Sequence, residues 1–150
     1  MKVAIGTDHA GIKLKPALIE YLKNKGIEYK DFGTFSESSC DYPDFALPVA
    51  EAVADGQFDR GILICGTGIG ISIAANKVPK IRCALCHDCF SAKYTRKHND
   101  ANIIAFGERV IGSGLMLELL EIFLFTEFEG GRHQKRIDKI TEIEKKYMKE

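Results

Sequence analysis

The stretch GILICGTGIG, Gly61 to Gly70, decides the fold of this 150-residue chain. Its aliphatic residues Ile62–Ile64 predict a short strand that is buried on both faces of a sheet. Three glycines then alternate with other residues, and the apolar side chains of Ile71–Ala75 predict a buried helix that ends before Pro79. A strand, a glycine turn and a helix start form an anion site in α/β proteins, because glycines let free backbone amides approach the ligand.

Cys65 is the last residue of the predicted strand and faces the glycine turn. A thiol beside a helix N-terminus forms thiolate more readily, so the first hypothesis is a phosphate cradle with a reactive thiol. Two other interpretations stay open. The turn resembles a dinucleotide fingerprint, with Asp88 near the position of a ribose-binding acid, although its G-x-G-x-G spacing is one residue short. It is also compatible with a glycine turn that serves tight packing alone.

Strands and helices alternate along the rest of the chain. Further strands are predicted at Val3–Gly6, Glu28–Phe32, Ile81–Leu85 and Ile103–Phe106. Helices are predicted at Leu14–Leu22 with lysines on its outer face, Phe45–Ala54, Ser91–His98, Leu115–Phe125 and Gln134–Lys149. This order predicts one doubly wound, Rossmann-like α/β domain over residues 1–150, with a mostly parallel five-stranded sheet and helices on both faces.

Composition excludes several classes of protein. Lysine plus arginine and aspartate plus glutamate number 21 each, so the chain has no net attraction to nucleic acid or acidic membranes. No apolar run approaches the roughly 20 residues that cross a bilayer. The beginning, Lys2–Gly6, lacks the pattern of a signal peptide, so we expect a cytoplasmic protein with its five cysteines reduced.

The segment Cys83-Ala84-Leu85-Cys86-His87 matches the C-x-x-C-H pattern of c-type haem attachment, and with Cys89 and His98 it suggests zinc. Residues alternate along a strand, so Cys83 and Cys86 point to opposite faces and do not converge on a metal. We therefore expect no metal and no cofactor, with these cysteines and Cys40 packed as small hydrophobic residues.

Polar residues follow four of the predicted strands, at the carboxyl edge where doubly wound folds bind ligands. They are Asp8-His9, Cys65–Gly70, His87-Asp88 and Gly107–Arg109. At the start of the last helix, Arg132, Lys135 and Arg136 oppose the helix dipole. Because these positive charges are unfavourable for the helix itself, we expect them to bind an anion, and arginine is well suited to phosphate oxygens.

Six motifs together resemble the type B ribose-5-phosphate isomerases, in the family that also includes galactose-6-phosphate isomerase subunits. The motifs are Gly6–Gly11, Asp41–Asp44, Cys65–Gly70, His98–Asn102, Gly107–Arg109 and Arg132–Arg136. The resemblance implies Cys65 as the base between C1 and C2, whereas other members use a glutamate. It implies that His98 opens the furanose ring, assisted by Asp8 or Thr67. It implies a substrate-binding set of Asp8, His9, Tyr42, Gly66, Thr67, Gly68, Ile69, Gly70, Asn99, Arg109, Arg132 and Arg136.

The implied activity is interconversion of ribose 5-phosphate and ribulose 5-phosphate through an enediolate, a step of the pentose phosphate pathway. The alternatives are an isomerase of a six-carbon substrate (allose or galactose 6-phosphate) and a non-catalytic phosphate- or nucleotide-binding domain. The resemblance also implies a homodimer or tetramer with active sites shared between subunits. Cys65 then comes from one chain, and His98, Asn99 and Arg109 from its neighbour. The apolar helix Leu115–Phe125 and a C-terminal helix at about 132–148 are expected to pack on a partner.

Overall fold

Five parallel strands form the sheet of the computed structural model, which describes residues 1–148. They are β1 (Lys2–Thr7), β2 (Glu28–Asp31), β3 (Arg60–Cys65), β4 (Cys83–Leu85) and β5 (Ile103–Gly107), in the spatial order β2-β1-β3-β5-β4. All four neighbouring pairs are parallel, as predicted. Strand β4 is shorter than predicted, because the N–H of Arg82 donates to the side-chain oxygen of Asn102 rather than to a neighbouring strand.

In the described part of the chain, six α-helices connect and cover the strands. They are α1 (Lys15–Asn24, preceded by a 3₁₀ turn at Ile12–Leu14), α2 (Pro43–Ala54), α3 (Ile69–Ala75), α4 (Cys89–Asn99), α5 (Ser113–Phe125) and α6 (Arg132–Tyr147). Within residues 1–148, the helices are all too short or too polar to cross a membrane. The predicted last residue of the C-terminal helix, Lys149, lies outside the described residues.

The helices cover both faces of the sheet, which confirms the doubly wound arrangement. On one face, Leu18 of α1 and Phe123 of α5 belong to a core that includes Ile5 and Ile64 of the sheet. On the other face, α2 and α3 pack on alternate strand residues such as Leu63. The buried residues of the central strands therefore divide between two cores, as expected from the alternation of side chains along a strand.

Two expectations about apolar helices are wrong. The apolar composition of α5 does not mark a partner surface, because Met116, Leu119 and Leu120 are fully buried in the chain's own core. Helix α3 buries Ile71 but leaves Ile73 55% exposed, because the helix contacts the sheet along one side only. On α5 only the last residue, Phe125, leaves a large apolar side chain more than half exposed.

Lys15 contradicts the expectation that the lysines of α1 all face solvent. Its side chain is buried, with Nζ 3.1 Å from the Asp31 carboxylate, and it also donates to the carbonyl of Thr34. A buried lysine is stable only when its charge and its donors are paired, and both conditions hold here. Lys15 thereby fastens α1 to the loop that follows β2.

The strand order creates a switch point between β1 and β3, because the chain proceeds from β1 to β2 on one side and later to β3 on the other. Ligands of doubly wound sheets bind at the carboxyl ends of the strands beside such a point. Asp8 follows β1 and Cys65 ends β3, and the N–H of Asp8 donates to the carbonyl of Ile64. The fold therefore brings these two predicted residues to one edge.

Candidate active site

Cys65 lies at the base of the glycine turn. Its side chain is 4% exposed, and the backbone N–H of Gly68 donates to Sγ over 3.1 Å. Thr67 is exposed above it, with Oγ1 accepting from the N–H of Ile69. One backbone donor of the turn is therefore directed at the sulfur, which is the local geometry expected of a thiol beside a helix start.

Two glycines are required by the shape of this turn. Gly68 has φ +76°, and a Cβ on it would lie 2.5 Å from Cδ1 of Leu85. A Cβ on Gly70 would lie 2.5 Å from the ring of Tyr42, so that ring packs directly on the backbone of α3. Tyr42 is 40% exposed and forms one wall of the cradle, beside the residues that the resemblance assigns to substrate.

Asp8 and His9 form a second wall on the β1 side. The carboxylate of Asp8 is 5% exposed and accepts from the N–H of Ala10. His9 accepts at Nδ1 from the N–H of Cys40, over 3.2 Å. This contact assigns the proton of a neutral His9 to Nε2, so its free edge is a hydrogen-bond donor suited to an oxyanion.

Arg109 belongs to the same group, which corrects the expectation that it acts with His98 and Asn99. Its N–H donates to the carbonyl of Gly66, and its guanidinium lies 3.4 Å from where a Cβ of Gly66 would stand. The preceding residue, Glu108, accepts from the N–H groups of Lys13 and Leu14 and ties this loop to the 3₁₀ turn. The reason is topological: β5 pairs with β3, so the loops at their carboxyl ends touch.

His98 and Asn99 lie at the opposite edge of the sheet. Helix α4 runs back from the carboxyl edge, and its last residue Asn99 accepts at its carbonyl from Arg82, just before β4 begins. The following segment meets the start of β3, where Gly61 donates to the carbonyl of Asn102. From Gly61 to Cys65 the strand rises about 13 Å, so the segment that follows His98 and Asn99 meets the far end of β3 from Cys65.

Arg132 and Arg136 accompany His98 rather than Cys65. Helix α6 begins at Arg132 and packs on α4, and both arginine side chains point to solvent. Neither has an ion-pair partner among residues 1–148. Between them His133 is 5% exposed, and its ring stacks on that of His98 with the centroids 4.0 Å apart. The two unpaired arginines beside the partly exposed His98 form a surface suited to an anion.

The cysteines of the C-x-x-C-H segment do not converge. Cys86 belongs to the core on the α1 and α5 face, and Cys83 packs against the core on the α2 and α3 face. Burial raises the pKa of Cys86 to about 12 and raises that of Cys83 as well, so both remain thiols. His87 accepts at Nε2 from the N–H of Gly107, which makes it a structural part of the carboxyl edge.

The comparisons with known proteins agree with this geometry. Residues 3–140 match the model of the family described as Ribose/Galactose Isomerase. The chain belongs to this family. It is 49% identical over 145 residues to the ribose-5-phosphate isomerase B of Escherichia coli, with 97% of each chain covered. It is 46% identical over 142 residues to the D-erythrulose-4-phosphate isomerase of Pectobacterium atrosepticum, covering 93% of each. The structure of the Clostridium thermocellum ribose-5-phosphate isomerase B superposes with a TM-score of 0.97 and 58% identity, covering 98% of this chain and 99% of that one.

Membership of the ribose/galactose isomerase family makes this chain an isomerase, and the resemblance found from the sequence motifs is confirmed. Sequence reasoning assigned no role to four residues that support the site: Lys15, Glu108, Glu129 and His133. The spacing of Glu129 and His133, an acid and a histidine four residues apart, is the one signal that pointed to a pair. Glu108 lies in the Gly107–Arg109 motif, but its partners, like those of Lys15, are distant in the chain and could not be inferred.

Proposed function

We propose that this chain interconverts D-ribose 5-phosphate and D-ribulose 5-phosphate by proton transfer through an enediolate. The observation that carries the proposal is the Cys65 sulfur at the base of a glycine turn, with the N–H of Gly68 directed at it over 3.1 Å. The chain's membership of the ribose/galactose isomerase family supports the same reaction class. An isomerase of this kind needs a base near an acidic carbon and donors near the oxygen that becomes negative.

Cys65 is the proposed base. In this mechanism its thiolate takes a proton from C2 of the open-chain aldose and returns it to C1, and the reverse direction uses the same two steps. The backbone amides of Gly66–Gly70 stabilise the oxyanion of the enediolate, since they are preorganised donors that need no rearrangement. The nearly complete burial of Cys65 supports this assignment, because removing water strengthens these electrostatic interactions.

Ring opening is the proposed task of His98. Ribose 5-phosphate exists mainly as a furanose, so a group must exchange protons with the ring before the aldehyde forms. Histidine titrates near neutral pH and serves as such an acid or base. We propose that Asp8 or Thr67 assists on the other side of the substrate, and that Asn99 binds hydroxyl groups or the developing oxyanion.

The phosphate is bound by the donors that remain. The proposed set is His9 through its Nε2–H, Arg109 beside Gly66, and the two unpaired arginines of α6, Arg132 and Arg136. The phosphate does not change charge in the reaction. Its binding energy therefore holds the reacting carbons in place rather than stabilising one state over another.

We propose that each site is assembled from two chains of a homodimer. The homodimer is either the complete assembly or one half of a tetramer. Cys65 ends β3, whereas the segment after His98 and Asn99 meets the start of β3 at Gly61. The strand between these two ends spans about 13 Å, so we infer that the two groups of one chain serve different sites. Exposed apolar side chains offer surface for a partner: Ile69, Ile73, Phe90, Ile140, Ile143 and Tyr147. On α6 only His133 and Ile137 are buried by the chain itself, which supports packing of this helix on a partner.

A six-carbon aldose phosphate is the second candidate substrate, because the family description names galactose beside ribose. A panel of ribose 5-phosphate, allose 6-phosphate and galactose 6-phosphate separates the two by kcat/KM. The five cysteines, all free, favour a reducing compartment, and we propose the cytoplasm as the place of action.

The test uses ribulose 5-phosphate in deuterium oxide. We expect the protein to convert it to ribose 5-phosphate and to place deuterium on C1 or C2, as followed by nuclear magnetic resonance. Cys65→Ser should lower both rates by at least about 100-fold, which is typical for loss of a catalytic base. Cys89→Ser is the matched control, because Cys89 lies at the start of α4 and not in the glycine turn. Loss of activity in the control and survival in Cys65→Ser would refute the assigned base.

A further inference from the structure

A cluster of two histidines and a glutamate lies beside the proposed ring-opening residue. The imidazole rings of His98 and His133 are stacked, with centroids 4.0 Å apart and planes 12° from parallel. Glu129 places a carboxylate oxygen 3.5 Å from Nε2 of His133. On α4, Tyr94 contacts His98 as well, with ring centroids 4.9 Å apart. Two aromatic rings from different helices therefore restrict how His98 can turn.

The charges around the cluster come from each element that packs on it. Lys97 of α4 forms an ion pair with Glu129 over 3.1 Å, and the arginines 132 and 136 of α6 lie on either side of His133. Burial, followed by the proximity of His98 and Arg132, lowers the pKa of His133, against the opposing effect of Glu129. His133 is therefore neutral at pH 7, and a neutral ring stacks on His98 without charge repulsion.

The same cluster has ligand atoms that lie within 4.8 Å of one another, which is a spacing compatible with a metal ion. Two features oppose a cation there. Imidazole nitrogens bind a metal in the plane of their ring, whereas these two rings lie in parallel planes 4.0 Å apart. In addition, Lys97 already occupies the carboxylate of Glu129, and two arginines stand close by. The arrangement suits a fixed pair of rings in a surface that attracts anions.

We propose that His133 is a positioning residue that holds the imidazole of His98 in the orientation needed to open the furanose ring. Glu129, in the loop before α6, fixes the ring of His133, and the ring of His133 in turn fixes that of His98. This inference rests on the proposed function. It predicts that His133 matters for cyclic substrates and hardly at all for substrates that cannot form a ring.

Sugar chemistry supplies such a pair of substrates. Ribose 5-phosphate closes a furanose ring through O4. Ribulose 5-phosphate cannot do so, because its furanose would need O5, which carries the phosphate. Proton exchange at C1 of ribulose 5-phosphate therefore requires Cys65 and the glycine turn but not ring opening. D-Erythrose 4-phosphate is likewise open-chain, and one family relative is a D-erythrulose-4-phosphate isomerase.

The experiment compares the two activities in one variant. His133→Ala should lower kcat for ribose 5-phosphate by about 10- to 100-fold, since misorientation of an acid–base group costs this much. Deuterium exchange into C1 of ribulose 5-phosphate should stay within about 3-fold of the wild-type rate, because the proton-transfer half of the site is unchanged. His133→Phe keeps a stacking ring and should restore ribose 5-phosphate turnover to within about 3-fold.

Each outcome decides the inference. Equal losses in both assays would mean a general structural role, and unchanged ribose 5-phosphate turnover would mean no role, so either result overturns it. If circular dichroism shows that His133→Ala is unfolded, His133→Gln provides the same comparison, since it removes the ring and keeps a polar end near Glu129. A wild-type protein that neither converts nor exchanges either substrate would overturn the proposed function itself.

Discussion

Two inactive variants should restore activity to each other when their subunits mix. The first is Cys65→Ala, which removes the proposed base, and the second is His98→Asn, which removes the proposed ring-opening group. In a dimer with shared sites, a mixed dimer has one site with both defects and one site with neither. If each site lay within one chain, every site would carry a defect and the mixture would remain inactive.

The expected size of the effect follows from the geometry and from counting. The strand from Gly61, which bonds to Asn102, to Cys65 spans about 13 Å, and direct proton transfer needs contact over roughly 3 Å, so we expect the two groups to meet at one substrate only across two chains. Random exchange of equal amounts makes half of the dimers mixed, and about a quarter of all sites intact. Each variant alone should keep less than about 1% of the wild-type rate, so mixing should raise activity by at least about 25-fold.

The assay is ribose 5-phosphate turnover after mild dissociation and reassociation, with native mass spectrometry to measure the mixed dimers. Cys65→Ala mixed with Asp8→Asn is the matched control. Both residues lie at the same end of the strands, so no mixed dimer of this pair has an intact site and activity should stay low. Mixed dimers without recovered activity in the first pair would show that Cys65 and His98 serve the same chain's site.

Five further outcomes follow from the structure. Arg136→Ala should raise KM for ribose 5-phosphate at nearly constant kcat, because the phosphate keeps its charge throughout, and steady-state kinetics measure the split. Turnover should survive thorough chelation; loss of activity that a divalent ion restores would contradict it. Gly68→Ala should abolish activity and lower the unfolding free energy by at least about 1 kcal/mol, since φ is +76° and Cβ would clash with Leu85. Leu119 is fully buried, so Leu119→Ala should lower the unfolding free energy measured by urea titration by about 2–5 kcal/mol. His133 has a lowered pKa, so just below pH 6.5 the unfolded chain binds more protons than the folded one. The unfolding free energy should therefore decrease as the pH is lowered through this range, and the decrease should be less steep in His133→Phe.

The carboxyl-edge half of the site could be predicted from the sequence because local chemistry determines it. A buried strand followed by alternating glycines has few other structures, and parallel strands bring their carboxyl ends to one edge. The strand pattern therefore predicts that Cys65, Gly68 and Asp8 lie together, and the structure groups them in the same way. The same pattern places Arg109 at this edge, whereas the family resemblance places it with His98; the pairing of β3 with β5 brings its guanidinium against Gly66.

The second half of the site depended on the direction of α4, which motif spacing does not encode. The sequence predicted a helix ending near His98, yet the stack of His98 on His133 arises only because α6 packs across α4. The buried pair of Lys15 and Asp31 has the same origin. Its residues belong to different elements, and lysine in an amphipathic pattern is normally solvated.

The sequence by itself determined the parallel α/β fold, the glycine turn at Cys65 and the family to which the chain belongs. These depend on periodicity and backbone chemistry within short segments, which a linear chain displays directly. Only the tertiary structure decided which predicted site residues share an edge, and that the apolar side chains of α5 fill the chain's own core. The physical reason is that burial and contacts between distant segments arise only when the chain packs. An apolar helix face of one sequence pattern can pack against several different surfaces, and the complete fold decides which one it covers.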